Sequence, residues 1–172
     1  MNKKTIRKIL GGFKSYVPGG LSIHGTGGTD SARYCYTIWL RHLSILYKNG
    51  FTKIPDTIAE LGPGDSIGTG LAGLLSGSKK FYALDVVKHT NIKNNISVFD
   101  ELVTLFAKRS AMPDDNEFPR VLPLLASYNF PSEIFTNNNL EKLLDKSRIQ
   151  CLRNELVDME KQKNSIQYMC PW

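Results

Sequence analysis

Cysteine is scarce in this sequence, and its three copies are far apart. Cys35, Cys151 and Cys170 show none of the C-x-x-C spacing that is typical of structural metal sites. An odd number of cysteines without a signal peptide favours a reducing compartment over a disulfide-bonded secreted fold. We therefore expect a cytoplasmic protein without a metal site.

Long apolar runs are also lacking. The longest is far shorter than the roughly 20 residues that a membrane-spanning helix needs, so no membrane span is expected. The sequence has no repeat at solenoid-like periods and no low-complexity tract longer than residues 137–139. A chain of 172 residues with 41% hydrophobic content predicts a soluble fold with a single core.

Acidic residues are outnumbered by basic ones, 16 against 22, which gives a formal net charge of +6. Much of the excess lies near the start, where residues 1–10 are predicted to form a short basic helix. Such a segment is compatible with binding to nucleic acid or a membrane surface. However, no aromatic residues interleave with it and no second basic run follows. A solvated N-terminus is therefore the favoured interpretation, and a nucleic-acid partner is not expected.

The segment from Thr57 to Gly70 has the pattern of a buried strand, a glycine-rich turn and a helix N-terminus. Its apolar strand residues are bounded by Pro55 and Gly62, and a helix is predicted over residues 67–75. Unpaired amides and the positive dipole at a helix N-terminus can hold a polar or anionic ligand group. This turn is therefore the primary candidate for a ligand site.

A second strand is predicted over residues 80–85, where a continuous apolar run ends in Asp85. Such a run is typical of a parallel strand that helices cover on both faces. Ligands bind at the carboxyl ends of parallel strands, so Asp85 should lie beside the glycine turn. It follows Gly64 by about twenty residues, the interval at which nucleotide-binding βαβ units place an acid on the ribose. The alternative is a strand-end cap, and the ribose role is favoured.

Hydrophobic periodicity predicts the remaining elements. Helices are expected over residues 32–49, 96–109 and 140–161, the last with a break near Ser147, and a strand over residues 165–169. Four prolines fall within residues 112–135, which indicates either a substrate lid or a packed irregular connection.

The dinucleotide fingerprint G-x-G-x-x-G fits the turn poorly. Gly62 and Gly64 match its first two glycines, but the third place falls on Ile67, and a glycine follows one residue later at Gly68. Pro63 also removes a backbone donor from the turn. Binding of NAD is therefore a disfavoured alternative.

The run Glu60-Leu61-Gly62-Pro63-Gly64 resembles the first motif of the class I S-adenosylmethionine-dependent methyltransferases, in which an acid precedes a glycine-rich turn. Asp85 matches the acid that ends their second strand. The sequence is similar to methyltransferases found among bacterial surface-polysaccharide genes, and this similarity extends to residues 31–34, 39–43, 118–119 and 128–131.

The resemblance implies S-adenosylmethionine as the cofactor and a role for each matching residue. Glu60 would organise the turn and the methionine end of the cofactor, and Gly62 and Gly64 would allow close approach of the backbone. Asp85 would accept hydrogen bonds from both ribose hydroxyls. Ser66 stands where many members have a third glycine. The catalytic residues and the methyl acceptor are not identified by the resemblance.

The implied fold is an incomplete Rossmann-like parallel sheet with helices on both faces and an N-terminal helical lead-in. Residues 1–56 would form the helical region, and residues 57–172 a partial cofactor-binding α/β domain. The methyltransferases that the chain resembles continue with several more strands. The expectation is therefore the cofactor-binding part of a methyltransferase, with an uncovered sheet edge that favours association with another chain. The alternative from another class is a non-catalytic cofactor-binding or interaction module.

Overall fold

The computed structural model describes residues 28–159, 161 and 164–172 of the chain. The predicted basic helix at residues 1–10 lies outside these residues. The fold is mixed α/β, as predicted. In chain order, its elements are α1 (Ala32–Lys48), β1 (Thr57–Leu61), α2 (Gly68–Ser76), β2 (Lys80–Leu84), α3 (Ile92–Ala107), α4 (Asn137–Leu143), α5 (Lys146–Glu155) and β3 (Ile166–Met169).

The strands of the described part form a small parallel sheet in the order β1-β2-β3. Ile58 of β1 aligns with Phe81 of β2, which in turn aligns with Ile166 of β3. Parallel neighbours need a crossover connection, and α2 supplies it between β1 and β2. The predicted βαβ unit is therefore present. A small parallel sheet flanked by helices is consistent with an incomplete Rossmann-like fold.

Burial alternates along each strand, because successive side chains point to opposite faces of a sheet. On β2, Phe81 and Ala83 are fully buried, whereas Tyr82 and Leu84 are only half-buried. Side chains of α1, α2 and α3 belong to the same buried cluster as Phe81 and Ala83. The side chains of β2 are therefore buried most completely on the face of Phe81 and Ala83.

Two glycines let α2 lie unusually close to the sheet. A Cβ atom on Gly70 would stand 2.0 Å from the Phe81 ring, and one on Gly73 would stand 2.2 Å from Cδ1 of Ile58. Neither distance is tolerable between carbon atoms. Glycine disfavours a helix interior, so its presence in α2 reflects packing against the strands rather than helix propensity.

Side-chain caps begin the helices α1 and α3. Ser31 accepts a hydrogen bond from the Tyr34 amide at 3.3 Å and begins α1, so the prediction for this helix is confirmed. α3 begins four residues earlier than predicted, at Ile92. The Asn91 side chain accepts from the Asn94 amide at 2.9 Å, and this cap begins the helix ahead of the residues whose apolar spacing predicts it.

The C-terminal helical region is broken, as the phase of its apolar residues predicts. Leu144 and Asp145 separate α4 from α5. The Asp145 carboxylate accepts from the amides of Ser147 and Arg148 at 2.9 and 3.3 Å, which caps the second helix. The Arg148 side chain also donates to the Leu74 carbonyl, which ties α5 to α2.

The core runs through the whole described part. Tyr36 and Leu40 of α1 belong to the same buried cluster as Leu71 of α2, Phe99 of α3 and Tyr168 of β3. The described portion of the N-terminal helical region is therefore built into the core of the α/β sheet.

The proline-rich segment between α3 and α4 is packed onto α1 through a buried arginine. The Arg41 guanidinium is fully buried and donates to the carbonyls of Pro113 and Val121 at 2.9 and 2.7 Å. It also donates to the Asp115 carboxylate at 3.0 Å. The Tyr128 ring lies 4.7 Å from the guanidinium, and its hydroxyl donates to the same carboxylate at 2.8 Å. These contacts favour a packed connection over a mobile lid.

No helix in the described ranges combines the length and the apolar character that crossing a bilayer requires. All three cysteines belong to those ranges and are free thiols.

The Arg41 contacts generate a stability prediction. Lysine keeps the charge but lacks the planar fork that reaches several acceptors at once, so Arg41→Lys leaves buried carbonyls unpaired. We expect a loss of roughly 3 kcal/mol in the free energy of unfolding, measured by urea denaturation. The matched control is Arg33→Lys, because Arg33 pairs with Glu117 at the exposed surface. That change should cost at most about 1 kcal/mol, and equal losses in the two variants would contradict the role of Arg41.

Candidate functional site

The four predicted site residues lie around the carboxyl ends of β1 and β2. Glu60 is in β1, Gly62 follows β1 directly, and Asp85 follows β2 directly. The Gly62 amide donates to the Leu84 carbonyl at 2.8 Å, which joins the two strand ends. Gly64 lies two residues further along the same turn. The structure thus brings these residues together at the carboxyl end of the parallel strands.

The turn needs glycine at two positions for its backbone conformation. Gly62 has φ +68° and Gly64 has φ +78°, values at which a side chain is strained. A Cβ atom on Gly62 would meet no heavy atom of the described residues within 4 Å. Glycine is therefore required at position 62 by the positive φ angle, and not by lack of space for a side chain. The position where its Cβ atom would stand faces open space.

Ser66 ties the turn to the segment that precedes α1. The Asp65 amide donates to Oγ1 of Thr29 at 3.0 Å, and the Ser66 hydroxyl donates to the Thr29 carbonyl. The Gly68 amide donates back to Oγ of Ser66 at 3.1 Å. A third glycine at position 66 would lack the two bonds that the Ser66 hydroxyl makes with Thr29 and Gly68.

Asn95 holds the turn from the side of α3, a role that the sequence did not reveal. It is fully buried, and its Oδ1 accepts from the Ile67 amide at 3.1 Å and from the Thr90 hydroxyl at 2.9 Å. The neighbouring Asn94 donates to the Asp65 carbonyl at 2.9 Å. The capping residue Asn91 was the sequence signal that could have revealed this role. A helix that begins after Asn91 includes both Asn94 and Asn95.

The first amides of α2 are paired inside the protein. The Ile67 amide donates to Asn95, and the Gly68 amide donates to Ser66. This end of the helix is buried away from water, so its amides need intramolecular acceptors. The predicted use of unpaired amides for a ligand is therefore not supported at these two positions.

The Glu60 side chain lies beneath the first turn of α2. Burial raises the pKa of this carboxyl to about 7, and hydrogen bonding with the Thr69 hydroxyl and the Gly70 amide offsets the effect only in part. Its Oε2 atom is buried without a hydrogen-bond partner among the described residues. The carboxyl therefore changes charge near neutral pH.

Asp85 is held by one carboxylate oxygen and presents the other. The side chain is 7% exposed, and Oδ1 accepts from the amides of Val86 and Val87 at 2.8 and 3.3 Å. Its Oδ2 atom is buried and has no hydrogen-bond partner in the part of the chain that the structure describes. The alternative interpretation of Asp85 was a cap at the end of the strand, and Oδ1 makes this cap. Oδ2 remains able to accept a hydrogen bond.

Exposed apolar side chains stand at or just after the carboxyl ends of the three strands. Leu61 ends β1, Val86 follows β2, Met169 ends β3, and Trp172 comes shortly after it, with exposures between 42% and 67%. Exposed apolar side chains that gather around a buried polar group are typical of a ligand-binding or interaction surface.

Tyr34 and Cys35, which lie near the turn in sequence or space, have structural environments of their own. Tyr34 packs edge-to-face on Phe118 with ring centroids 5.4 Å apart. Burial raises the pKa of the Cys35 thiol to about 12, so it is protonated rather than a thiolate nucleophile. Within the described ranges, no group of three or more histidine, cysteine, aspartate or glutamate side chains is arranged to hold a metal ion.

The raised pKa of Glu60 predicts a pH-dependent effect on stability. Between pH 4.5, its usual pKa, and about 7, the unfolded chain releases a proton that the folded protein retains. Raising the pH through this window therefore destabilises the native protein, and the cost is constant above it. Glu60→Gln removes this cost, so the variant should be more stable by on the order of 2 kcal/mol at pH 8 and nearly equal at pH 4.

Urea denaturation at several pH values measures this difference. Glu133→Gln, which changes an exposed glutamate, gives the baseline for losing one surface carboxylate. A Glu60→Gln effect that is the same at pH 4 and pH 8 would contradict the raised pKa.

Comparisons of the chain with protein-family models, with curated proteins and with solved structures found no match.

Proposed function

We propose that this chain is the cofactor-binding part of a class I S-adenosylmethionine-dependent methyltransferase, with the cofactor site at the carboxyl ends of β1 and β2. The observation that carries the proposal is the Asp85 carboxylate. Two backbone amides orient it, and its buried Oδ2 atom has no partner among the described residues. A buried carboxylate oxygen is costly unless it is hydrogen-bonded. A ribose supplies the hydroxyl donors that this position lacks.

The glycine turn supports the same ligand. The positive φ angles of Gly62 and Gly64 turn the backbone without side chains, and Gly62 faces open space. A nucleoside can therefore approach the turn closely while its hydroxyls reach Asp85. The exposed side chains of Val86 and Val87, which directly follow Asp85, suit the apolar faces of a flat base.

The Glu60 carboxyl is suited to a positively charged group of this cofactor. The methionine end of S-adenosylmethionine has an ammonium group, and a nearby cation favours the ionised form of a carboxyl. Because the Glu60 pKa is raised to about 7, the approach of a cation would shift it to the carboxylate at physiological pH. This proton loss would be part of cofactor binding.

When bound, the cofactor supplies an electrophilic methyl group on a sulfonium centre. The described residues identify neither a general base nor the methyl acceptor. Transfer of this kind depends largely on holding two reactants in line, so the role of this chain is to bind and orient the cofactor.

The proposal predicts that Asp85→Asn weakens cofactor binding. Asparagine retains an oxygen for the amides of Val86 and Val87 but loses the charge-assisted bonds to a ribose, so S-adenosylhomocysteine should bind roughly tenfold to a hundredfold more weakly. Isothermal titration of folded samples measures the change. Asp100→Asn is the matched control, because Asp100 pairs with Arg153 on the surface.

Three outcomes bear on the choice of function. A folded sample that binds neither S-adenosylmethionine nor S-adenosylhomocysteine would contradict the proposal. Tighter binding of NAD than of either ligand would favour the dinucleotide alternative. Cofactor binding without methyl transfer to any acceptor would favour a non-catalytic module.

A further inference from the structure

We propose that Thr29, Ser66 and Asn95 make the glycine turn selective for a nucleoside that carries no phosphate groups. Their side chains accept hydrogen bonds from the backbone amides that a phosphate would otherwise use at this end of α2. The proposal deepens the proposed function and rests on it in placing a nucleoside at the turn. These three residues then determine which ligands the site rejects.

Phosphate groups bind at the junction of a strand, a turn and a helix mainly through unpaired backbone amides. The amides of the turn and of the first helical residues point at the anion, and the helix dipole adds to the attraction. A diphosphate is held by several such amides at once. A junction whose amides already have acceptors lacks the donors on which this mode of binding depends.

The first two residues of the turn offer no donor to a ligand. The Gly62 amide donates to the Leu84 carbonyl at 2.8 Å, which continues the pairing of β1 with β2. Pro63 follows, and proline has no amide hydrogen. A phosphate at this turn would therefore depend on the amides further along it.

Thr29 occupies the next amides of the turn. Its Oγ1 atom accepts from the Asp65 amide at 3.0 Å and from the Ser66 amide at 3.4 Å. Thr29 is 9% exposed and Ser66 is fully buried, so these bonds are shielded from water. The Thr29 carbonyl also accepts from the Ser66 hydroxyl. These bonds fix the segment that precedes α1 against the amides of the turn.

Asn95 and Ser66 occupy the amides at the start of α2. The Ile67 amide donates to Oδ1 of Asn95 at 3.1 Å, and the Gly68 amide donates to Oγ of Ser66 at 3.1 Å. Of the described amides in this turn, only that of Gly64 lies outside this set of bonds, and Gly64 is buried. A single amide does not replace the group of donors that a diphosphate requires.

The charged groups beside the turn also disfavour a phosphate. Oδ2 of Asp85 and Oε2 of Glu60 are buried oxygens without a hydrogen-bond partner among the described residues. Both need a donor, whereas the oxygens of an ionised phosphate are acceptors. The hydroxyls of a nucleoside supply donors, and a phosphate would add negative charge next to the Asp85 carboxylate. The polar groups of the site thus match the sugar of a nucleoside.

Two basic side chains lie in a separate position beyond the turn. An open polar pocket of about 480 Å³ adjoins the turn at Asp65, and Asp30, His89 and Lys93 also line it. A phosphate held there would contact basic side chains instead of the turn amides. Amide chemical shifts distinguish the two positions, because they report which residues an anion approaches.

Isothermal titration of the full wild-type chain compares adenosine, ADP and S-adenosylhomocysteine. ADP should bind at least about tenfold more weakly than adenosine, because its phosphates meet carboxyls and no free donors. ADP that binds as tightly as adenosine would overturn the proposal, whatever the affinity for S-adenosylhomocysteine. Adenosine binding without S-adenosylhomocysteine binding would instead leave the selectivity standing and contradict the methyltransferase assignment.

The double variant Thr29→Val with Ser66→Gly removes the acceptors of three turn amides and keeps the buried Asn95 in place. It should bind ADP about tenfold more tightly than the wild type does. Inorganic pyrophosphate, a probe without a nucleoside, should show the same gain. The matched control is Thr104→Val with Ser132→Gly, which removes two hydroxyls outside the turn and should give no gain.

Pyrophosphate should shift the amide resonances of Asp65 and Gly68 in the double variant. Shifts confined to His89 and Lys93 would place the anion in the outer pocket and contradict the proposal. Ser66→Gly alone is the second variant if the double variant does not fold. It frees the Gly68 amide and should gain about threefold in affinity for ADP.

Two further results would overturn the proposal. The first is a folded variant with freed amides that binds ADP and pyrophosphate no better than the wild type does. The second is a folded wild-type protein that binds neither adenosine nor S-adenosylhomocysteine, which would contradict the proposed function as well.

Discussion

The close approach of α2 to the sheet constrains much of the rest of the structure. Gly70 and Gly73 place the helix so near the strands that a Cβ atom at either position would overlap Phe81 or Ile58. This contact buries the first turn of α2 over the end of β1. The Glu60 carboxyl is enclosed there, and its raised pKa is a consequence of that enclosure.

The burial of this helix end also decides how the glycine turn is built. Its amides have no access to water, so side chains from three parts of the chain accept from them. Thr29 approaches from before α1, Asn95 from α3, and Ser66 from the turn itself. Internal bonds of this kind preorganise a turn, which would lower the ordering cost of binding the proposed ligand. The buried side-chain oxygens near this turn that have no partner among the described residues are Oε2 of Glu60 and Oδ2 of Asp85.

The order of the strands gives β1 and β2 different numbers of neighbours in the described part of the chain. β2 is flanked on both sides by parallel neighbours, whereas β1 is paired in the described part only through its inner edge. The outer edge lies beside an apolar cleft, and Glu60 borders both this cleft and the turn.

The sequence by itself determined the local features of this protein. Hydrophobic period placed α1, β1, α2, β2 and β3, proline and glycine marked the turns, and the phase change near Ser147 revealed the break before α5. The glycine turn and Asp85 were recognisable because strand ends and left-handed turns impose residue types locally.

Only the tertiary structure decided which groups those features meet. The hydrogen bonds from Arg41 to the proline-rich segment span 72 to 82 residues, and the Asn95 bond to Ile67 spans 28. Such pairings depend on how buried donors and acceptors find each other in space, and no periodicity within one segment encodes them.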